Sequence, residues 1–292
     1  MTPVSDETRS GAVTKEAWQD VSGQKWARQQ ERTDAQLGPL GLPAIEALGL
    51  GAGERVLDVG CGAGQTLLQL AERVGPSGWV TGLDVSGPLV DQARQRVARS
   101  GNDRIDVVLG DAETMRLPPP PYDALFSRFG VMFFQDSAAA FANLARALRP
   151  GGRLAFLCWQ ALQKNPWAFE PLQAVRSLAP DQPVPEMLSP EKPGPFRFSD
   201  PDLVRGYLTK AGLRDVAIVP HETPMSIGGA RSADEAVDFA LDIGPAARFI
   251  SELPPERHAQ VRPLLARVFE PALGAGGVRM MARTFVVTAR RD

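Results

Sequence analysis

The sequence predicts an α/β fold in which a mostly parallel, doubly wound sheet carries helices on both faces. Short apolar strand segments alternate with amphipathic helical segments between residues 55 and 160, and this alternation is typical of a parallel sheet. A strand also runs directly through glycines into a helix at 56–71. The composition, with 43% hydrophobic and 23% charged residues in 292, is that of a globular protein.

The segment VLDVGCGAG (56–64) joins the first predicted strand to a helix without spare residues. Gly60, Gly62 and Gly64 occupy alternate positions, and the helical pattern begins at Gln65. Such a junction presents backbone N–H groups and the positive end of a helix to a ligand, and glycines permit its close approach. A dinucleotide-binding fingerprint has the spacing G-x-G-x-x-G. The third glycine comes one residue earlier here, which argues against NAD.

Acidic residues lie at the ends of the next two predicted strands. Asp84 ends the strand 79–84, and Asp111 follows the strand 105–110. Because parallel strands end at the same edge of a sheet, both carboxylates are expected in one crevice, where the first suits a ribose diol.

The remaining pattern predicts helices at both ends of this core. Six prolines between residues 180 and 195 exclude a long helix or a central strand there, so the segment 161–198 is expected to form a lid. The predicted helices are 16–37, 43–48, 64–74, 87–99, 138–148, 201–211, 232–241 and 256–270, and the predicted strands are 55–60, 79–84, 105–110, 122–128, 153–160, 215–220 and 277–288.

Five segments, in order between about residues 50 and 160, resemble the class I S-adenosylmethionine-dependent methyltransferases, in particular the small-molecule branch of quinone and natural-product biosynthesis. They are VLDVGCGAG (56–64), VTGLDVS (80–86), GDAE (110–113), YDALFSRFGVMFF (122–134) and LRPGGRLAF (148–156). The resemblance implies a Rossmann-like, seven-stranded sheet with an antiparallel last strand and helical cap insertions. It also implies S-adenosyl-L-methionine as methyl donor and S-adenosyl-L-homocysteine as product.

The same resemblance divides the chain into four parts. Residues 1–50 form an N-terminal helical segment that closes over the cofactor, and residues 51–160 form the cofactor-binding core. Residues 161–198 are a cap insertion. Residues 199–292 complete the core and carry a second helical insertion at about 228–274.

The resemblance assigns the cofactor site residue by residue. The methionine part is wrapped by the glycine loop, with Asp58 near its amino group; Asp84 takes the ribose hydroxyls and Asp111 the adenine amino group. Cys61 is interpreted as a small residue tolerated in the loop, with a nucleophile as the alternative, while Trp18 and Trp26 either close over the cofactor or pin the N-terminal helix. The full predicted set is Trp18, Trp26, Asp58, Gly60, Cys61, Gly62, Gly64, Asp84, Val85, Leu89, Asp111, Ala112, Glu113, Ser127 and Arg128.

A dense apolar set surrounds the expected mouth of the site and suggests a pocket for an aromatic or lipophilic acceptor, with ordinary core as the alternative for each member. Methyl transfer from a sulfonium depends mainly on proximity and the exclusion of water, so no catalytic residue is readable. His221 is the candidate general base, and a structural role is its alternative. The predicted acceptor-binding residues are Phe129, Met132, Phe133, Trp159, Asn165 and Trp167.

Other function classes fit the sequence less well. The formal charge of −2 and the absence of a basic run argue against nucleic acid as partner. No apolar stretch is long enough for a membrane span, and no metal-ligand spacing is present. The protein is expected to be cytoplasmic. A nucleic-acid or protein methyltransferase, or a cofactor-binding protein with another reaction, stays as an alternative. The acceptor and the oligomeric state are left open.

Overall fold

A central sheet of seven strands organises the molecule. The computed structural model describes residues 15–118 and 121–292. The strands run in the order β3-β2-β1-β4-β5-β8-β6, and only β8 is antiparallel to its neighbours; β7 pairs with the start of β8 alone. The predicted fold class is therefore confirmed. The strands are β1 Arg55–Val59, β2 Trp79–Asp84, β3 Ile105–Leu109, β4 Tyr122–Arg128, β5 Leu148–Trp159, β6 Leu213–Ser226, β7 Leu273–Gly274 and β8 Gly277–Arg291.

Three of the helices begin at a residue whose side chain caps the N-terminus. The side chains of Asp136, Asp200 and Ser232 each accept a hydrogen bond from a backbone N–H in the first turn of the helix that follows. The helices are α1 Lys15–Gln19, α2 Val21–Arg28, α3 Gln30–Leu48, α4 Gln65–Val74, α5 Gly87–Ser100, α6 Ser137–Ala147, α7 Pro166–Arg176, α8 Pro201–Lys210, α9 Ala233–Asp242, α10 Pro245–Ile250 and α11 His258–Phe269.

The N-terminal helices differ from the prediction. The expected single helix 16–37 is three helices, and α3 continues through Pro39 and Pro43 to Leu48 instead of ending before a separate helix 43–48. Each internal proline removes a backbone hydrogen bond. Tertiary packing compensates, because α3 lies against β4, β5, β6 and β8 and buries its apolar residues Leu40, Ala44, Ile45 and Leu48.

The carboxyl ends of the parallel strands define the edge on which the site is built. Val59, Asp84, Leu109, Arg128 and Trp159 end β1 to β5 respectively. Strand β5 begins earlier than predicted, and its pairing with β4 shifts register between Tyr122 and Ala124. The loops that follow these strands therefore meet at one edge of the sheet.

The two helical insertions pack on each other and form one cap. Helix α7 contacts α10 and α11, and α9 contacts α10 and α11. The second insertion leaves and rejoins the sheet at one point, since the Ile227 N–H donates to Val278 O at 3.0 Å and the Val278 N–H donates to Ala230 O at 2.9 Å. Gly228, Gly229 and Gly277 have left-handed backbones at this junction.

No helix within residues 15–118 and 121–292 combines the length and the apolar character that a membrane crossing needs.

Candidate cofactor and acceptor site

The glycine loop after β1 is built so that only glycine fits. Gly60, Gly62 and Gly64 have φ values of 73°, 54° and 83°, in the region that favours glycine. A Cβ on Gly60 would lie 2.8 Å from the Cα of Gly130, in the turn after β4. The close contact between these two turns forms the base of the site at the carboxyl ends of the strands.

Asp84 is held rigidly at the end of β2. Its carboxylate accepts hydrogen bonds from the Gly62 N–H at 2.8 Å and from the Ser86 N–H at 2.9 Å. Burial raises the pKa of Asp84, and these backbone hydrogen bonds offset part of that rise. Because an ionised carboxylate has about four acceptor positions, this one is oriented by the protein and still has acceptor capacity for a ligand.

Asp58 lies beneath the loop and is 1% exposed. One carboxylate oxygen accepts a hydrogen bond from the Thr66 hydroxyl, while Oδ1 is buried and has no hydrogen-bond partner. Burial raises the pKa of Asp58 to about 7, against the lowering effects of Thr66 and of Arg128. A buried oxygen without a donor is costly, and an ammonium group placed there would satisfy it.

Arg128, at the end of β4, joins the same region to α3. Its Nη1 donates to Gln65 Oε1 at 2.5 Å, and Gln65 Nε2 donates to the backbone oxygen of Asp34 at 3.5 Å. Asp34 also pairs with Arg96 at 2.5 Å. Burial lowers the pKa of Arg128, and the negative charges of Asp34 and Asp58 oppose that effect. Sequence reasoning missed Asp34 and Arg96, because only the fold brings them to this edge.

Asp111 and Glu113 play different parts at the end of β3. Asp111 pairs with Lys15 at 3.0 Å. Burial raises its pKa, but hydrogen bonds from Lys15, the Glu113 N–H and Thr114 outweigh burial and lower it. Glu113 accepts hydrogen bonds from the backbone N–H groups of Gln135 and Asp136 at 2.7 and 2.9 Å. Glu113 therefore positions the loop before α6, and its contact with the cofactor stays a prediction.

The apolar members of the predicted cofactor set lie beside these acids. Val85 is half-buried, and Leu89 and Ala112 are each 6% exposed. The Asn143 side chain donates to the Ala112 carbonyl at 2.9 Å, which fixes the backbone next to Asp111.

Helices α1 and α2 cross over this edge. Trp18 makes edge-to-face contacts with Trp26 and Phe133, with ring centroids 5.7 and 5.3 Å apart. A Cβ added to Gly23 would lie 2.1 Å from the backbone oxygen of Trp18 in α1 and 2.2 Å from the Oγ of Ser86, whose hydroxyl is buried without a hydrogen-bond partner. Trp18 thus packs against Trp26 within the N-terminal helices and also contacts Phe133 in the loop after β4.

The Gly23 contact carries a prediction. Gly23→Ala is expected to weaken S-adenosylhomocysteine binding about fivefold or more, because overpacking by one methyl costs about 1–3 kcal/mol and the cost falls on the closed position of α2. Gly87→Ala is the control, since nothing lies within 4 Å of a Cβ at Gly87. Isothermal calorimetry measures both variants, and equal affinities would show that α2 does not cover the ligand.

An aromatic stack leads from the glycine loop toward the cap. Phe129, with φ 62°, stacks on Trp159 with ring centroids 4.3 Å apart and planes 7° from parallel. Trp159 in turn lies 4.6 Å from Trp167 on α7. A positive φ at phenylalanine is a strained conformation of the kind found at functional sites. The three rings form a continuous wall between the two regions.

Three predicted ligand contacts are engaged in holding the protein together instead. Ser127 is fully buried; its hydroxyl donates to Val59 O at 2.7 Å and accepts from the Gly130 N–H at 3.2 Å. Met132 is fully buried in the core. The side-chain Nδ2 of Asn165 donates hydrogen bonds to three backbone carbonyls. Its Oδ1 accepts hydrogen bonds from the Arg283 N–H and from the Trp167 indole N–H. The Ser127 hydroxyl and the Asn165 amide thus position the loops that carry the site, and a ligand contact by any of the three residues stays a prediction.

His221 and Cys61 gain no support as chemical groups. His221 lies in a row with Thr284 and Trp159, which places its backbone two strands, or about 10 Å, from that of Trp159. A backbone separation of about 10 Å from the end of β5 is beyond hydrogen-bond distance. Burial raises the pKa of the Cys61 thiol well above its usual range, so the residue acts as a small apolar one. Among residues 15–118 and 121–292, no three His, Cys, Asp or Glu side chains are grouped as metal ligands.

Comparisons with known proteins match this geometry. Residues 56–152 match the family model described as a methyltransferase domain. Nocamycin O-methyltransferase of Saccharothrix syringae is 30% identical over 248 residues, which are 82% of this chain and 85% of that protein. The chain belongs to the class I S-adenosylmethionine-dependent methyltransferases.

Two further relatives agree with the assignment to the methyltransferases. Aklanonic acid methyltransferase DauC of Streptomyces sp. (strain C5) is 36% identical over 118 residues, 40% of this chain and 54% of that protein. The solved structure of phosphoethanolamine N-methyltransferase 2 of Haemonchus contortus, in complex with S-adenosyl-L-methionine, has a TM-score of 0.58 at 16% identity and covers 97% of this chain and 61% of that one. The latter likeness concerns the fold.

The residues of this methyltransferase fit its cofactor. The unpartnered Oδ1 of Asp58 is complementary to the amino group of S-adenosylmethionine, and the oriented carboxylate of Asp84 is complementary to a ribose diol. Lys15 forms an ion pair with Asp111, the predicted adenine contact. Arrival of the adenine amino group would therefore displace Lys15 from this carboxylate.

Proposed function

We propose that this methyltransferase transfers a methyl group to a small aromatic or lipophilic acceptor. The observation that carries the proposal is the aromatic wall formed by Phe129, Trp159 and Trp167, which starts beside the glycine loop and leads under the cap. Flat apolar walls favour flat apolar ligands. The names of the relatives, nocamycin O-methyltransferase and aklanonic acid methyltransferase, refer to small molecules and support this choice.

The residues would act by orientation and by exclusion of water. S-Adenosylmethionine, when bound, would supply an electrophilic methyl group, from which the attacking acceptor displaces S-adenosylhomocysteine in line. Asp84 and Asp58 would fix the two ends of the ligand against the glycine loop, and α1 and α2 would exclude water above it. Such a displacement builds up little charge, so positioning contributes most of the acceleration. The prediction of a cytoplasmic location rests on composition alone.

A methylation assay tests the proposal. Purified protein is incubated with methyl-labelled S-adenosylmethionine at limiting concentration and a panel of phenols, quinols and aliphatic amines, with Asp84→Ala as the control of lowered activity. We expect transfer to an aromatic member of the panel and none to the amines. Transfer to the aliphatic amines alone would contradict the proposed acceptor class, and binding of NAD in place of S-adenosylhomocysteine would contradict the cofactor.

Trp167 provides a sharper test of the acceptor side. Trp167→Ala is expected to impair methyl transfer at least tenfold, because loss of an indole ring packed 4.6 Å from Trp159 costs more than about 1.4 kcal/mol, and to leave S-adenosylhomocysteine affinity within about threefold. Phe169→Ala is the matched control, since Phe169 is on the same helix but lines a separate groove. Unchanged turnover in Trp167→Ala would move the acceptor site to α1 and α2.

A further inference from the structure

A small internal chamber lies between α3 and the cap. Its volume is about 20 Å³, and residues of α3, α7, α9, α10 and α11 line it. Trp167, Ile243, Phe239 and Phe269 are among its walls, and none of its lining side chains is charged. Trp167 is also the last ring of the aromatic wall, so the chamber adjoins the end of that wall under the cap.

Gln36 is the one polar side chain in the chamber without a complete set of partners. It is 5% exposed, and its Oε1 accepts a hydrogen bond from the Gly228 N–H at 2.9 Å. That donor fixes the orientation of the amide, since the reverse orientation would set two donors against each other. The only other hydrogen-bonding side chain in the lining is Trp167, whose indole N–H donates to Asn165 Oδ1 at 3.1 Å.

The Gln36 amide nitrogen therefore offers a donor to the chamber. No residue within 15–118 and 121–292 accepts a hydrogen bond from Nε2. The Gln36 side chain is 5% exposed and the surrounding walls are apolar, so its free N–H is expected to find an acceptor inside the chamber. A neutral oxygen on a ring compound satisfies both conditions, whereas a charged group would be buried without a counter-ion.

We propose that the chamber takes the far end of the methyl acceptor and that Gln36 Nε2 donates a hydrogen bond to a carbonyl oxygen on it. The acceptor is then an uncharged, carbonyl-bearing ring compound. The inference rests on the proposed function and narrows its acceptor class. The present volume holds about one water molecule, so a ring enters only as the cap helices move away from α3.

Two probes of one shape test this inference. 1-Tetralone carries a ketone on a bicyclic frame, and tetralin is the same frame without the oxygen. Their affinities are measured by quenching of tryptophan fluorescence in the presence of saturating S-adenosylhomocysteine, since Trp167 lines the chamber. The wild type should bind the ketone about three- to tenfold more tightly, the equivalent of one net hydrogen bond.

A variant of Gln36 separates ligand binding from packing. Gln36→Met removes both amide atoms and keeps an unbranched side chain of similar length. This variant should bind 1-tetralone about three- to tenfold more weakly and tetralin within twofold of wild type. Equal losses for both probes, an unchanged affinity for the ketone, or no binding of either probe by the wild type would overturn the inference. S-Adenosylhomocysteine affinity, measured alongside, tests the proposed function separately.

Discussion

Asp84→Ala is expected to weaken S-adenosylhomocysteine binding about tenfold to a hundredfold. Hydrogen bonds to a charged acceptor contribute about 1.5–3 kcal/mol, and the variant loses those to the ribose. It also loses the hydrogen bonds from the N–H groups of Gly62 and Ser86 that hold the glycine loop. Isothermal calorimetry on the wild type and the variant measures the change.

The thermal stability of Asp84→Ala is the control for this substitution. Asp84 ends a strand at the sheet edge, outside the hydrophobic core, so the melting temperature of Asp84→Ala should fall by only a few degrees. Asp84→Asn keeps one acceptor oxygen, and its affinity for S-adenosylhomocysteine should lie between those of the wild type and Asp84→Ala. An unchanged dissociation constant in the alanine variant would remove Asp84 from the cofactor site.

The second large effect is a dependence of cofactor affinity on pH through Asp58. With a pKa of about 7, this carboxyl binds a proton below neutrality when no ligand is present. An ammonium group at Oδ1 favours the ionised form. The affinity for S-adenosylhomocysteine should therefore rise by up to tenfold per pH unit toward pH 7 and then level off, with release of a proton on binding below pH 7.

The same group makes the ligand-free protein less stable as the pH rises. The pKa of Asp58 is raised from 3.8 to about 7, so the folded state binds a proton that the unfolded state has lost. The unfolding free energy should fall between about pH 4 and pH 7, by roughly 4 kcal/mol in total. Urea denaturation at a series of pH values measures this slope.

Asp58→Asn is the matched variant for both measurements. It keeps the shape of the side chain and removes the titration, so both pH profiles should flatten. Calorimetry in two buffers that differ in ionisation enthalpy counts the released proton. A wild-type affinity that is constant between pH 5 and pH 8 would show that Asp58 stays ionised without ligand.

Local patterns predicted the alternation of strands and helices and the glycine loop, because those patterns act over short distances. Three glycines on alternate positions require a special backbone, and all three have positive φ values. The limits appear where tertiary packing decides. Pro39 and Pro43 predicted an end to the helix, but the surface that α3 buries on the sheet outweighs two lost backbone hydrogen bonds.

Side-chain partners were the least predictable part of the site. Asn165 and Ser127 carry polar atoms at positions expected to face a ligand, yet their atoms are engaged with β8 and β1. Gln36 appeared to be one polar residue among many on α3, and only the return of the chain at Gly228 buries it. Hydrogen-bond partners far apart in sequence depend on the whole fold, so no local pattern specifies them.

The side-by-side junctions of the second insertion make it exchangeable. Residues 230–277 leave and rejoin the sheet between Ile227 and Val278, which are already hydrogen-bonded to each other. A replacement of different length would close on the same two residues at little extra entropic cost. Descendants of this chain could thus acquire new acceptors by exchanging a cassette while Asp58, Asp84 and the glycine loop stay untouched, and chimaeras could be joined at the same two residues.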